Sequence, residues 1–384
     1  MKGSITFLSF SISIGIFLGI SLGMFLLFNK STKNRSNIYL VILLFISTLF
    51  LVSPFVYFIG YFDRLPHLYR IAQIVGFVSG PVIYLYVRTC TQKDFKMSPI
   101  LWLHFIPVVI NNFFNIPVYT ISATEKIEYF QIFMETGIFQ NRNSYRIIPL
   151  LGVIHSIVYG IISVNLILKY RKHLAQTASF VDNSFHQWLL VFVSFLAYPM
   201  LTVFLWLISG GRFFSLSLFY FGFVFFNITV FASILFKPEL FHTFPNQMPI
   251  PDSTEEKTRK YESSNLQEDQ KEKYLEQIQS KMNSEKYYRE PELTIQQLSE
   301  QINIPTYYLS QVINEKLDCN FLDFINQYRV EAAKELLLKP DLEHYSITAI
   351  GFEAGFNSKS TFYSAFKRFT DTTPGKFRKS MINS

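Results

Sequence analysis

Apolar residues form long uninterrupted runs in the first two thirds of the chain and recur at helical intervals among polar residues in the last third. A helix that crosses a bilayer needs about 20 apolar residues, because each residue rises about 1.5 Å and the hydrocarbon core is about 30 Å thick. Seven runs meet this requirement without an Asp, Glu, Lys or Arg: Ile5–Phe28, Ile38–Phe62, Ile71–Val87, Pro99–Tyr119, Ile147–Leu168, Trp188–Ile208 and Phe213–Phe236. The pattern predicts seven transmembrane helices.

Two of the runs have a weaker signal than the others. The first run could be a cleavable signal peptide, but it is longer than the usual apolar region of about 7–15 residues, and no small-residue cleavage site follows Phe28. We therefore expect a retained span. The fourth run contains Pro107, Asn111, Asn112 and Asn115, whose polar groups would need partners inside the protein if they lay at membrane depth.

Basic residues alternate in density between the loops that join these runs. Short cytoplasmic loops carry an excess of Lys and Arg, because basic residues next to a span resist translocation. The loops after the first, third and fifth runs are rich in them: Lys30, Lys33, Arg35, Arg88, Lys93, Lys96, Lys169, Arg171 and Lys172. The intervening loops have fewer basic residues or balance them with acidic ones: Arg64 and Arg70 with Asp63, three basic residues with Glu125, Glu128 and Glu135, and Arg212. This alternation needs all seven spans and predicts that the N-terminus lies outside and the C-terminal part in the cytoplasm.

Charge density divides the chain into two parts. Residues 1–236 hold 16 Lys and Arg against 6 Asp and Glu, whereas residues 237–384 hold 19 against 22. The overall net charge of +7 comes from the apolar part and is no evidence for nucleic-acid binding. We predict a seven-span membrane domain over residues 1–236, a cytoplasmic linker over 237–273 and a helical domain over 274–384. The predicted fold class is all-α.

Polar residues inside the predicted spans are sparse. His104 and His155 are candidates for a polar pocket within the membrane domain, although hydrogen bonding to neighbouring helices is the more common role of such residues. No charged residue lies in a span, which argues against an ion-coupled transporter. Cys90 and Cys319 give neither a disulfide framework nor a zinc-ligand spacing, and no nucleotide-binding loop or nucleophile elbow is present. The sequence therefore predicts no metal, no cofactor and no enzyme.

The predicted linker changes composition abruptly. Four prolines between Lys237 and Pro251 disfavour a helix, and the charged stretch that follows lacks a sustained apolar period. A flexible tether is the preferred interpretation. A coiled coil that would make a homodimer is the alternative, although few residues besides Leu266 could form its seam.

The C-terminal part contains a first pair of short helices joined by a tight turn. Thr294 followed by Gln297 is a capping-box signature, and Ile295, Leu298 and Ile302 line one side of the first helix. The second helix is predicted over Thr306–Lys316. Its polar positions are candidate DNA contacts, because Gln and Asn bond adenine and Tyr and Ser often contact phosphates: Thr306, Tyr307, Tyr308, Ser310, Gln311 and Asn314. A solvated face of an ordinary helical bundle would look the same.

A long helix from Phe321 to about Lys339 joins this pair to a second pair, predicted over Ile347–Ala354 and Ser358–Phe369. Phe362, Phe366 and Phe369 recur at helical spacing on one side of the last helix. The remaining positions are candidate DNA contacts: Ser358, Lys359, Ser360, Thr361, Tyr363, Ser364, Lys367 and Arg368. Residues 357–384 contain six basic residues and one acidic residue, which is typical of a surface that contacts phosphates.

Three segments carry a resemblance to a known family: LTIQQLSEQINIPTYYLSQVINEK, NFLDFINQYRVEAAKELL and ITAIGFEAGFNSKSTFYSAFKRFTDTTPGKFR. In order and spacing they resemble the AraC/XylS-type DNA-binding domain over about 100 residues, Tyr274–Arg378, and especially the bacterial regulators that join this domain to a multi-spanning membrane part. The resemblance implies two helix-turn-helix units whose second helices enter successive major grooves of DNA. It also implies structural roles for Arg329 and Lys334 on the joining helix.

The sequence departs from the family pattern at three positions. Asp318 and Asp371 stand where glycine is usual, and Asp is among the residues that tolerate a positive φ. Gly351 stands where alanine is usual and is expected to cost about 1 kcal/mol of helix stability.

The sequence and the resemblance together predict a transcription regulator in the bacterial cytoplasmic membrane, with several spans and its C-terminal domain in the cytoplasm. Its expected partners are double-stranded DNA, the lipid bilayer and a small-molecule or membrane signal. A transporter or channel with an attached regulatory domain, and a passively anchored regulator without sensing, are the alternatives.

Overall fold

A computed structural model of the chain describes residues 2–32, 34–69, 71–75, 77–92, 95–136, 144–180, 183–208, 213–241 and 266–382. Most of the described residues are helical, and an antiparallel bridge pairs Ala178 with Thr294. The predicted all-α class is confirmed. Most of the predicted linker lies outside the described residues, as do Lys33, Arg70, Lys93 and Arg212 among the predicted topology signals.

The chain divides into two compact units. The first comprises Met1–Ile167 and Ser184–Gln247, and the second comprises Leu168–Asn183 and Met248–Ser384. Leu168–Asn183, which the sequence-based division placed in the membrane domain, thus clusters with the C-terminal part of the chain.

Helices of the first unit overlap each of the apolar runs, and one further helix, Ala123–Thr136, lies between the fourth and fifth runs. They are α1 (Lys2–Phe28), α2 (Arg35–Phe58), α3 (Ser79–Thr91), α4 (Ile106–Thr120), α5 (Ala123–Thr136), α6 (Ser144–Thr177), α7 (Asn183–Ile208) and α8 (Phe213–Phe236). The last turns of α6, from Leu168 onward, belong to the second unit. Short 3-10 helices cover Phe62–Arg64, Pro66–Leu68, Ile71–Val75, Pro99–Phe105 and Pro238–Phe241.

Within the described residues, five helices are long and apolar enough to cross a membrane: Phe7–Phe28, Arg35–Phe58, Pro99–Thr120, Leu150–Thr177 and Ser217–Phe236. A sixth is obtained if the pair Pro66–Val75 and Ser79–Thr91, bent by 43°, counts as one span. The predicted third span is therefore not one straight helix. The predicted sixth span falls within α7. Among the described residues of this helix, Phe185–Phe195 forms an apolar segment that is shorter than a span needs.

Polar side chains in the first unit bond to neighbouring helices. Asn227 on α8 is fully buried; it donates to the carbonyl oxygen of Gly15 on α1 (2.8 Å) and accepts from the hydroxyl of Ser47 on α2 (2.8 Å). The asparagines of the fourth run also have partners, since Asn111 donates to the carbonyl of Gln73 and Asn112 to that of Ile74, both over 2.8 Å. The partners expected for the polar groups of this run are thus present.

Among its described residues, the second unit has seven further α-helices. They are α9 (Glu268–Glu285), α10 (Ile295–Ile302), α11 (Thr306–Lys316), α12 (Phe321–Leu337), α13 (Ile347–Glu353), α14 (Lys359–Thr370) and α15 (Pro374–Ile382). Their apolar faces form one core that includes Ile278, Leu298, Val312, Ile325 and Phe366, each fully buried. The helical periodicity read from the sequence is thus the periodicity of burial.

Four helices of the second unit begin at side-chain caps, one of which was expected from the sequence. Thr294 and Gln297 form both hydrogen bonds of a capping box at the start of α10. Side chains of Asn320, Ser346 and Ser358 accept from the backbone N–H groups at the starts of α12, α13 and α14.

Candidate nucleic-acid interface

Two helix-turn-helix units are present, joined by α12. In the first, α10 and α11 are separated by a turn in which Asn303 has a φ of 58°. In the second, α13 and α14 are separated by a turn in which Gly355 has a φ of 100°. A Cβ at Gly355 would lie 2.5 Å from the carbonyl oxygen of Tyr288, so the turn requires glycine both for its backbone conformation and for space. We call α11 and α14 the two reading helices.

Most candidate residues of α11 lie on its less buried side, whereas Tyr308 packs against the core. Tyr307 is 41% exposed, whereas Thr306, Tyr308, Ser310, Gln311 and Asn314 are half-buried. Two of these side chains are held by neighbours on the same helix: Gln311 donates to the Glu315 carboxylate (3.0 Å), and Asn314 donates to the Ser310 carbonyl oxygen (2.7 Å). The helix thus presents an aromatic and amide surface with little charge.

The basic residue at the end of α11 is engaged with α9. Lys316 pairs with Glu268 and Glu272, and Lys271 pairs with Glu315 at 2.8 Å. Hydrogen bonds from Lys316 and Lys271 lower the pKa of Glu268, and the bond from Lys271 lowers the pKa of Glu315. Lys316 therefore stabilises the packing of α9 on α11.

The second reading helix presents the basic surface expected from the sequence. Lys359, Ser360, Ser364 and Lys367 are exposed, and Tyr363 is half-buried beneath the ammonium of Lys359, which lies 5.6 Å from its ring centre. Ser358 and Thr361 have local roles, because the Ser358 hydroxyl accepts from the backbone N–H of Thr361 at the start of the helix.

The buried apolar face of α14 ends before Phe369. Phe362 and Phe366 are buried at 1% and 0% exposure, but Phe369 is 36% exposed because it stands on the last turn, beyond the core. Phe369 therefore lies outside the core, although it recurs at the helical spacing of the two buried rings.

Arg368 has a partner that the sequence pattern did not indicate. Its guanidinium forms two hydrogen bonds with the carboxylate of Asp323 on α12, of 2.6 and 2.8 Å. The Asp323 side chain is 11% exposed and also accepts from Asn320. Sequence reasoning missed Asp323 because a pair separated by 45 positions leaves no periodic signal.

The three departures from the family pattern have structural counterparts. Asp318 and Asp371 adopt φ values of 48° and 54°, the left-handed conformation expected for positions that usually hold glycine. Gly351 packs directly against the buried ring of Phe362, whose Cγ would lie 2.7 Å from a Cβ at this position. The glycine of α13 therefore permits the close approach of α14.

In the first unit, the structure brings His104 and His155 together around one tyrosine. Nδ1 of His104 lies 2.6 Å from the hydroxyl of Tyr159, and the His155 ring centre lies 4.7 Å from that of Tyr159. Nε2 of His155 is buried without an observed hydrogen-bond partner among the described residues. The ring of Tyr159 also packs on Gly80, so contact between α3 and α6 explains part of this cluster.

Comparison with known proteins supports the assignment of this part of the chain. Residues 298–380 match the family described as "Helix-turn-helix domain". An uncharacterized HTH-type transcriptional regulator of Staphylococcus aureus is 36% identical over 87 residues, which are 23% of this chain and 11% of that protein. The Msm operon regulatory protein of Streptococcus mutans is 28% identical over 92 residues, 24% of this chain and 32% of that protein.

One solved structure, a protein of unknown function from Listeria innocua, is 28% identical and covers 27% of this chain and 94% of that chain, with a TM-score of 0.24. The chain spans about a tenth of the length of the staphylococcal regulator that it matches.

The class of the C-terminal part follows from its two helix-turn-helix units, the family match over residues 298–380 and the two regulators. It contains a DNA-binding helix-turn-helix domain of the AraC type, as found in transcription regulators, a class whose members are generally not enzymes. The resemblance inferred from the sequence is confirmed for this part of the chain.

Proposed function

We propose that the chain is a membrane-tethered, sequence-specific transcription regulator of the bacterial cytoplasmic membrane, in which the membrane domain senses a small-molecule or membrane signal. The observation that carries the proposal is the pairing of two helix-turn-helix units with an N-terminal part made of long apolar helices. The alternation of basic loops supports the same arrangement, because it predicts a cytoplasmic location for the part that must reach DNA.

The proposed topology has seven spans with the N-terminus outside. A reporter enzyme inserted at Gln140 tests it, because the fourth span must cross the membrane for this position to face outward. An active external reporter at Gln140, together with an active cytoplasmic reporter after Ser384, is the expected result. A cytoplasmic reporter at Gln140 would refute the seven-span topology.

We propose that the two reading helices enter successive major grooves and divide the work between them. Exposed cations on α14, Lys359 and Lys367, would contact phosphates, and Ser360, Tyr363 and Ser364 lie on the same surface. Gln311 and Asn314 on α11, with Tyr307, would face base edges. Arg368 would act through its pair with Asp323 by positioning α14 on the joining helix.

Genome-wide crosslinking of the full chain to DNA tests the proposed function. The expected result is a set of discrete promoter sites that contain two half-sites about one helical turn apart. Their disappearance in the Lys359→Ala/Lys367→Ala variant, at equal protein level in the membrane fraction, would support α14 as the DNA-binding surface. No discrete site for the unaltered chain would refute the proposal.

The two alternatives differ in what the membrane domain does. A transporter or channel would produce a flux across vesicles that contain the full chain, whereas a sensor would not. A passive anchor would give the same promoter occupancy under all growth conditions, also after replacement of the seven spans by one unrelated span. Occupancy that changes with growth conditions only when the native spans are present is the result expected of a sensor.

A further inference from the structure

The segment that follows α6 pairs with the DNA-binding part of the chain. Ala178 and Thr294 form an antiparallel bridge, and the backbone N–H of Ser179 donates to the carbonyl oxygen of Leu293 over 2.9 Å. Ser179 is fully buried. Both strands of this pairing belong to the second unit, so the segment between two predicted spans is part of the compact body that carries the helix-turn-helix units.

Arg329 on α12 is the centre of this contact. Only 1% of its surface is exposed, and its guanidinium donates to the carbonyl oxygens of Tyr288 (2.7 Å), Glu290 (2.6 Å) and Pro291 (3.3 Å). It also donates to the carbonyl oxygen of Ser179 (2.9 Å) and to its hydroxyl (3.0 Å). No carboxylate forms an ion pair with Arg329 within the described parts of the chain, and desolvation lowers its pKa to about 10.

A buried cation without a counter-ion depends on neutral acceptors for its hydrogen bonds. Nε of Arg329 donates to the carbonyl oxygen of Tyr288. Nη2 donates to the Ser179 hydroxyl and to the Glu290 carbonyl oxygen. Nη1 has one observed acceptor among the described residues, the carbonyl oxygen of Ser179. The notch formed by Leu293, Thr294 and Arg329 is therefore incomplete until the Ala178–Ser179 segment occupies it.

The notch lies where both helix-turn-helix units are held. Thr294 is the cap of α10, the first helix of the first helix-turn-helix unit. Arg329 is on the joining helix. Its guanidinium carbon lies 5.8 Å from the ring centre of Phe356, which is in the turn of the second helix-turn-helix unit. A change at this notch acts on elements that fix the two reading helices.

We propose that Ala178–Ser179 is a docking segment, and that its engagement in the notch holds the two helix-turn-helix units in the arrangement that binds DNA. The segment continues directly from α6, so it is the shortest covalent connection between a predicted span and this notch. Release of the segment would remove acceptors from a buried guanidinium and lower DNA occupancy. The DNA readout rests on the proposed function; the docking itself does not.

Docking is tested by a disulfide in the full chain. Ala178 and Thr294 face each other across the bridge, where Cβ atoms of antiparallel pairs lie about 4.5–5.5 Å apart, close to the separation that a disulfide needs. We expect the Ala178→Cys/Thr294→Cys variant to cross-link within one chain upon mild oxidation in native membranes, and neither single variant to do so. The absence of this cross-link, or one between two chains, would refute docking within the chain.

The role of docking is tested by Ser179→Pro, which removes the N–H that bonds to Leu293. We expect promoter occupancy to fall by about fivefold or more, a typical size for coupling between sites. Ser179→Ala, which loses only the hydroxyl bond to Arg329, should give a smaller loss. The matched control is Thr177→Ala, because the Thr177 hydroxyl bonds within α6 to His173 and should leave occupancy unchanged.

The outcomes separate the two proposals. Cross-linking with unchanged or raised occupancy in Ser179→Pro would refute the positive role of docking. Oxidation of the Cys pair in the Ser179→Ala background should restore occupancy, which a merely misfolded variant would not do. Absence of discrete promoter sites for the unaltered chain would instead refute the proposed function and leave the cross-link as an independent result.

Discussion

Arg368 on the second reading helix and Asp323 on the joining helix form a bidentate pair, with donor to acceptor distances of 2.6 and 2.8 Å. The carboxylate is largely buried and the guanidinium is largely exposed. Asp323 also accepts a hydrogen bond from Asn320 at the start of α12. The pair therefore connects α14 to the N-terminal end of α12, which follows the first helix-turn-helix unit. The relative position of the two reading helices thus depends on this contact.

We expect Arg368→Ala to reduce the stability of the packing between α12 and α14 by about 1–2 kcal/mol, because a buried carboxylate loses a charge-assisted partner. Hydrogen exchange of the backbone N–H groups in α14 measures this change. A double-mutant cycle with Asp323→Ala isolates the pair, and additive effects of the two substitutions would show that the pair contributes nothing.

Lys367 is exposed and, within the described residues, has no observed ion pair. We expect Lys367→Ala to weaken binding to all DNA sequences and to reduce the slope of log affinity against log salt by about one, because one phosphate contact is lost. Arg368→Ala should leave this slope unchanged, since its guanidinium is engaged with Asp323.

A matched control for the lysine is Lys281→Ala. Lys281 pairs with Glu285 on α9, remote in sequence from both reading helices, and its loss should change neither affinity nor slope. An equal effect of Lys281→Ala and Lys367→Ala would mean that only net charge matters.

Gln311→Ala on α11 and Ser360→Ala on α14 should each alter the preference at one base step, by about 1–3 kcal/mol of discrimination for a bidentate contact and less for a hydroxyl. Selection of binding sites from a random DNA pool measures the preference. The two substitutions should act in different half-sites, because their helices belong to different helix-turn-helix units. Uniform weakening on every sequence would refute base contact by these residues.

Gly351→Ala separates helix propensity from packing. Propensity alone favours alanine by about 1 kcal/mol, but a Cβ would overlap the buried ring of Phe362, and overpacking typically costs about 1–3 kcal/mol. We expect a net loss of stability in urea unfolding followed in the second unit. Gly375→Ala on α15 is the control, because no described atom outside its own helical turn lies within 4 Å of its Cβ position, and it should be neutral or stabilising.

Local features of this protein were predictable because they depend on neighbours in the sequence. Run length identified five described helices that are long and apolar enough to cross a membrane, periodicity identified the buried faces of α10, α11 and α12, and the capping box fixed the start of α10 at Thr294. The positive φ at Asp318 and Asp371 followed from the positions of glycine in the related domains. Run length, periodicity and the capping box each depend on a few neighbouring residues, so the sequence carries their signal directly.

Contacts between distant residues were decided only by the tertiary structure. Asp323 and Arg368 are 45 positions apart, Ser179 and Arg329 are 150 apart, and Ser47 and Asn227 are 180 apart. The clash that makes Gly351 necessary likewise arises only when α14 packs on α13. Periodicity states which face of a helix is buried, but many pairings of faces satisfy the same pattern. The pairing that occurs depends on the simultaneous packing of all helices and on the need of each buried polar group for a partner.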